Sequence, residues 1–188
     1  MKVGDVAPPF ELPATDGSMH SLGGGAQPDR RSGEHRTDSV PGGVTAVVFT
    51  CNHCPYALAW HDRLLAVARD FEGRARVLLV NPNDAGRYPR DSFDAMKARV
   101  EADGGWPAPY LRDESQEVAR AYGAATTPDV FVLDGQDTLR YRGAPDADHQ
   151  DPSQDATWLR GAIEAVLDGR APQPSETDPV GCSVKWLQ

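Results

Sequence analysis

Two cysteines spaced Cys51-Asn52-His53-Cys54 are the side chains of this sequence best suited to do chemistry. A thiolate attacks a disulfide, and a second thiol two residues away resolves the mixed disulfide within the same chain. Cys51 follows a run of β-branched apolar residues, Val44 to Phe49, and precedes a stretch of helical periodicity. At such a strand-to-helix turn it is expected to be the more exposed thiol, among unpaired backbone N–H groups and the positive end of a helix dipole, and so to be the attacker. Cys54, one helical turn on and buried, is the expected resolving thiol. An imidazolium at His53 would stabilise the thiolate and make the couple more oxidising; the plainer alternative is an exposed histidine with no electrostatic effect. A Cys-x-x-Cys also suits zinc or copper. Zinc requires a second ligand pair, and only Cys182 and the scattered His20, His35, His61 and His149 are present to supply one.

The elements that must position this pair can be read from the flanking pattern. Val44 to Thr50 is too continuously apolar for a half-exposed strand and predicts one buried on both faces. Tyr56, Trp60, Leu64, Val67 and Phe71 form one helical stripe, closed by Gly73. Ala75 to Val80 predicts a second buried strand, leading into Asn81-Pro82-Asn83-Asp84. Asp91 or Ser92 is expected to cap a helix carrying Phe93, Met96 and Val100. Asp113 and Gln116 stand in capping-box spacing before a helix stopped by Gly123. Asp129 to Leu133 predicts a third strand, and the alternation of Thr138 to Arg142 an edge strand. The acidic stretch Asp146, Asp148, Asp151 and Asp155 reads as a solvated face, since it lacks the Gly and Glu positions of a calcium loop. A last helix carries Leu159, Ile163 and Val166. Ala7 to Leu22 suggests an N-terminal hairpin, Gly23 to Gly43 a flexible surface insertion, and Val180 to Trp186 a hairpin anchored by Trp186.

With 188 residues, the chain is expected to form a single domain spanning residues 1–188, its tail over residues 171–188 packing on the rest. The net charge of −9 argues against nucleic-acid and anionic-membrane partners. No stretch approaches the roughly 20 apolar residues of a membrane span. The expectation is a soluble cytoplasmic protein, a compartment in which a Cys-x-x-Cys is catalytic or metal-binding before it is structural.

The Cys-x-x-Cys behind a buried strand, with Thr127-Pro128 just before another strand, resembles the thioredoxin superfamily. The opening Gly4-Asp5-Val6-Ala7-Pro8-Pro9-Phe10, with Leu12 and Asp16-Gly17, looks like its redoxin and AhpC/TSA-type branch, which includes peroxiredoxins and TlpA/ResA-like thiol-disulfide oxidoreductases. Phe49 to Tyr56, Asp113 to Gln116, Ala121 to Ala124, Thr127 to Asp129 and Gly181 to Trp186 are similar to a bacterial group within it. The resemblance implies an α/β class, a thioredoxin-like three-layer α/β/α arrangement with a central mixed sheet and an N-terminal β-hairpin. It implies Cys51 as nucleophile, Cys54 as resolving thiol and Pro128 as a cis-proline facing the dithiol, with His53 beside the pair. Asn52 and Thr127 would contact substrate, and Cys182 is a candidate third redox thiol. The implied partners are a disulfide-containing protein or small molecule and a cellular reductant, with no dissociable cofactor and no metal. Two alternatives stand beside thiol-disulfide exchange. A peroxiredoxin-like peroxidase would need a threonine three residues before its cysteine, whereas Thr50 precedes Cys51 by one and Cys54 by four. A copper or zinc carrier of the Sco-like kind would need one more residue between the cysteines, with His149 as its distant ligand.

Overall fold

A computed structural model describes residues 1–23 and 43–188. The insertion expected over Gly23 to Gly43 lies, but for its end residues, outside the described ones. In chain order the elements are β1 (Phe10–Pro13), β2 (Met19–Leu22), β3 (Thr45–Phe49), α1 (Pro55–Asp70), β4 (Arg76–Asn81), α2 (Phe93–Ala102), β5 (Tyr110–Arg112), α3 (Glu117–Tyr122), β6 (Thr126–Thr127), β7 (Asp129–Leu133), β8 (Leu139–Gly143), α4 (Thr157–Leu167) and β9 (Cys182–Ser183). A 3-10 turn, Pro89–Asp91, precedes α2.

The continuously apolar run becomes β3, the central strand, with all five residues buried. The main sheet has the order β5-β4-β3-β7-β8. Its first three strands are parallel, and β7 and β8 each run antiparallel to their neighbour. Because strand side chains alternate between faces, β3 feeds two cores. Ala46 and Val48 pack with Trp60, Leu64 and Val67 of α1, Met96 of α2 and Leu159 and Ile163 of α4. Val47 and Phe49 pack on the other face with Phe10, Leu12 and Leu22 of the β1–β2 hairpin and Ala119 and Tyr122 of α3. These are the expected three layers with the expected hairpin. β8 is an edge strand whose residues alternate between buried and half-buried, as its sequence alternation predicts.

Several local expectations change. Ser92 caps α2, accepting from Ala95 N at 3.2 Å, which releases Asp91 for other contacts. The capping box before α3 does not form. Asp113 accepts from Ala119 N, and Gln116, in the left-handed region, turns its amide toward the C-terminal tail instead. Gly123 does close α3 at φ 67°, where a side chain would be strained. The acidic stretch is not wholly a solvated face, since Asp146 is buried and accepts from Trp60 Nε1 at 2.7 Å and from Arg63 at 2.9 Å. Arg63 also donates to the carbonyls of Asp148, His149 and Asp151. One charged pair thus folds the loop inward over α1. The tail forms no hairpin of its own, because β9 pairs antiparallel with β6.

Candidate functional site

The site lies where β3 and β4 end, beside β6. Thr50 N still bonds to Val80 O, so the chain leaves the sheet only at Cys51. A helix cannot take over at once: Pro55, whose fixed φ and missing N–H suit the first helical position, sets the start of α1, and Cys54 is its N-cap. The helix-start position expected for Cys51 is therefore held by Cys54. The expected difference in exposure is also absent, with Cys51 at 1% and Cys54 at 0%.

Thr127 faces both sulfurs. Its hydroxyl lies 3.2 Å from Cys51 Sγ, and its carbonyl oxygen lies 3.2 Å from Cys54 Sγ, which as a thiol donates to it. The Thr127-Pro128 bond is cis, as expected. Cys182 stands opposite Thr127 in the β6–β9 ladder and packs against the small cluster of Cys51, Cys54 and Ala57. The structure therefore brings all three cysteines together from two distant parts of the chain, and none is in a disulfide.

Hydrogen bonds hold the tail in this position. Val184 N donates to Ala125 O, Lys185 N to Asn83 Oδ1, and Asp84 N to Lys185 O. Gln116 donates to Lys185 O and accepts from Leu187 N. Trp186 stacks under the Arg120 guanidinium at 4.5 Å, the anchoring expected of it. At Gly181 an added Cβ would overlap the Thr127 carbonyl, so only glycine lets the tail pass there. The β6 edge, where a substrate contact of Thr127 was expected, is thus already paired by the chain's own tail.

The protons on the sulfurs are set by their neighbours. A hydrogen bond from Cys51 is the largest influence holding Cys54 down to about 4, against burial, and the Cys182 thiol and the Ala57 N–H help. The same Cys51–Cys54 hydrogen bond, then burial, pushes Cys51 up, as does the nearby Asp91 charge. The pair shares a proton, and two placements of it compete. The Thr127 carbonyl dipole opposes a charge on Cys54, whereas the carboxylate of Asp91 opposes one on Cys51. Cys51, His53 and Asp91 bring their ligand atoms within 4.8 Å of one another. The contact with Cys54 and burial raise Cys51 most, the Thr127 hydroxyl lowers it and Asp91 raises it again, a balance that favours the charge on Cys54. Cys182 is pushed up to about 11, first by burial and then by Cys54.

His53 has a ring nitrogen within 4.8 Å of both Cys51 Sγ and an Asp91 carboxylate oxygen. Its Nδ1 pairs with Asp91 Oδ2 at 2.5 Å and its ring stacks on Tyr88 at 4.9 Å between centroids; its backbone N–H is what supports Cys51. Asn52 is likewise turned inward. Its amide donates to Arg90 O and its oxygen accepts from Tyr110 Oη and Arg99, so it holds the turn rather than presenting a free group to substrate. Asp91 is the residue that sequence reasoning missed. Fully buried, it accepts from Asn52 N at 2.7 Å and from the amides of Asn81 and Asn83 as well as pairing with His53. The polar Asn81-Pro82-Asn83 directly after a buried strand was the available signal that a buried acceptor had to exist.

Outside His53 opens a cleft of about 240 Å³ lined by His53, Arg87, Tyr88, Pro89 and Arg90. His149, the distant ligand considered for copper, instead packs its ring against Tyr56 and Trp60.

Comparison with known proteins agrees with this geometry. Among solved structures, an uncharacterized conserved protein from Geobacillus kaustophilus is 34% identical, covering 99% of this chain and 93% of its own, with a TM-score of 0.85. A hypothetical protein from Sinorhizobium meliloti 1021 is 32% identical, covering 100% and 96%, with a TM-score of 0.83. A putative thiol:disulfide interchange protein DsbE from Chlorobium tepidum, 22% identical, covers 89% and 99% with a TM-score of 0.60, which shows a shared thioredoxin-like fold. No curated protein matches. The resemblance read from the opening segment, the dithiol and Thr127-Pro128 holds, and it supports thiol-based redox chemistry. With the AhpC/TSA family model matching residues 3–142, the chain belongs to the AhpC/TSA family.

Proposed function

We propose that the protein is a thiol-disulfide oxidoreductase that cycles Cys51 and Cys54 between dithiol and disulfide. The observation carrying this reading is the pair of sulfurs between the end of β3 and the N-cap of α1, both facing Thr127 of the cis Thr127-Pro128 bond. The lowered Cys54 and raised Cys51 favour exchanging the roles expected from the sequence. The Cys54 thiolate attacks one sulfur of a substrate disulfide, forming a mixed disulfide and expelling the other sulfur as a thiolate. That leaving thiolate takes the Cys51 proton, and Cys51 then attacks Cys54 Sγ and releases the second substrate sulfur as a thiolate. The substrate disulfide gains two electrons, the protein loses them, and a cellular dithiol reductant restores the start. Arg87 and Arg90 beside the cleft favour a substrate with negative charge near its disulfide.

Reduction of insulin by dithiothreitol tests the reading. The wild type is expected to accelerate precipitation of the insulin B chain, and Cys54→Ser to fall to the rate of dithiothreitol alone. Equal rates for wild type and Cys54→Ser would reject it. Hydrogen peroxide consumption under the same reductant separates disulfide exchange from a peroxidase using the same thiolate.

One observation favours a second reading, a metal carrier. The ligand atoms of Cys51, His53 and Asp91 converge, a mixed donor set that suits zinc. Against it, Asp91 already accepts from three N–H donors besides facing His53. Protein purified under reducing conditions and assayed for zinc and copper is expected to hold neither in stoichiometric amount; one bound equivalent, lost in Asp91→Asn, would favour the carrier.

A further inference from the structure

Cys182 is unused by a two-cysteine cycle, yet the fold directs it at the reactive sulfur. β9 carries it to the β6 edge opposite Thr127, and it packs on the Cys51–Cys54 cluster. Its thiol interacts with Cys54, whereas the partner through which Cys51 enters the cluster is also Cys54. Cys54 is therefore the middle of a row of three thiols, with a potential resolving thiol on each side. The position of Cys182 is not that of a loose end. Two backbone pairs of the ladder, the Gln116 and Asn83 contacts and the glycine-only passage at Gly181 fix the strand that bears it.

We propose that Cys182 is a second resolving thiol for Cys54, so that the oxidised protein contains a Cys54–Cys182 disulfide as an alternative to Cys51–Cys54. The inference rests on the dithiol reading above, in which Cys54 forms the mixed disulfide. Once Cys54 Sγ is bonded to a substrate sulfur, Cys182 loses its proton to the first released thiolate and attacks Cys54 Sγ. A Cys54–Cys182 bond forms, the Cys54–substrate bond breaks and the second substrate sulfur departs as a thiolate. Two electrons pass from Cys54 and Cys182 to the substrate disulfide, which is the oxidant. The timing is built in: the negative charge of Cys54 helps to hold the Cys182 proton in the resting dithiol, and that charge vanishes when Cys54 enters a disulfide. Nearby Lys185 favours the thiolate that then forms. The product ties the tail covalently to the start of α1, closing β9 over β6, while Cys51 remains a thiol able to reopen the bond by exchange at Cys54.

The test is a disulfide map of wild-type protein treated with oxidised glutathione, quenched in acid, alkylated and digested with trypsin. Cleavage after Arg36 and Arg63 places Cys51 and Cys54 in one peptide, and cleavage after Arg170 and Lys185 places Cys182 in another. A Cys51–Cys54 bond is then a loop inside one peptide, and a Cys182 bond joins two. The joined pair is expected in the wild type, as the dominant intramolecular disulfide in Cys51→Ser and lost in Cys54→Ser. A wild type giving only the loop, with Cys182 alkylated in full, overturns the inference and leaves the dithiol reading standing. A joined pair that persists undiminished in Cys54→Ser also overturns it, because the bond would then bypass Cys54. Neither loop nor joined pair in the wild type would remove both readings together.

Discussion

Replacing Asp91 with alanine is expected to lower the free energy of unfolding by about 3–5 kcal/mol, out of the roughly 5–15 kcal/mol available to a typical domain. The carboxylate is fully buried, and its loss would leave the Asn52 N–H and the amides of Asn81 and Asn83 without the acceptor they share, far from water. Urea denaturation followed by circular dichroism measures the effect. Asp91→Asn keeps the shape but removes the charge and turns half of the group into a donor. It is expected to cost less and to have a second consequence: with the opposing charge gone, Cys51 becomes easier to ionise, since Asp91 is one of the influences that push it up. A variant that unfolds at the wild-type urea concentration would show that the Asp91 network does not hold the turn.

A thiolate titration has the other large expected effect. A thiol at its ordinary value of 9.0 is almost wholly protonated at pH 7, whereas Cys54, held down to about 4, is ionised almost completely. Cys51 and Cys182 are both pushed up and stay protonated, so the reduced protein at neutral pH is expected to show one thiolate equivalent by ultraviolet absorbance. That absorbance should fall with a midpoint near pH 4 and be missing in Cys54→Ser. If it survives there and vanishes in Cys51→Ser, the charge rests on Cys51. The sign for stability follows from the same shift. A depressed folded-state value stabilises the fold above the ordinary thiol value of 9.0, and the contribution declines as pH falls toward about 4, below which it is gone. The raised value of Cys51 acts the other way, costing stability as pH climbs above 9.0.

The scaffold was legible because its signals are local and redundant. The β-branched run of β3, the Trp60-Leu64-Val67 stripe of α1 and the alternation in β8 each carry their own periodicity, and tertiary packing reinforces them. The dithiol and Thr127-Pro128 were legible as types at a spacing. What the spacing could not convey was where α1 begins. A Cys-x-x-Cys allows the helix to start at either cysteine, and the proline at position 55 decides for Cys54, which moves the stabilised charge by three residues. Asp91 was hidden for a different reason: a carboxylate next to Ser92 looks like a helix cap until the partners contributed by Asn52, Asn81 and Asn83 are seen in space. Asp146 was misread in the same way, as one more acid in an acidic stretch, because its partners Trp60 and Arg63 lie more than eighty residues earlier. Cys182 reaches the site only through a pairing of two-residue strands, too short to leave a pattern in the sequence.

The passage of Gly181 under the Thr127 carbonyl makes the tail a latch whose fit depends on one missing methyl group. Both sulfurs of the dithiol are buried, and the tail that bears Cys182 packs directly on them. An alanine at that position would wedge the latch ajar. One glycine thereby couples the tail to the dithiol: a substitution there acts on the sulfurs without touching them, through a strand of two residues.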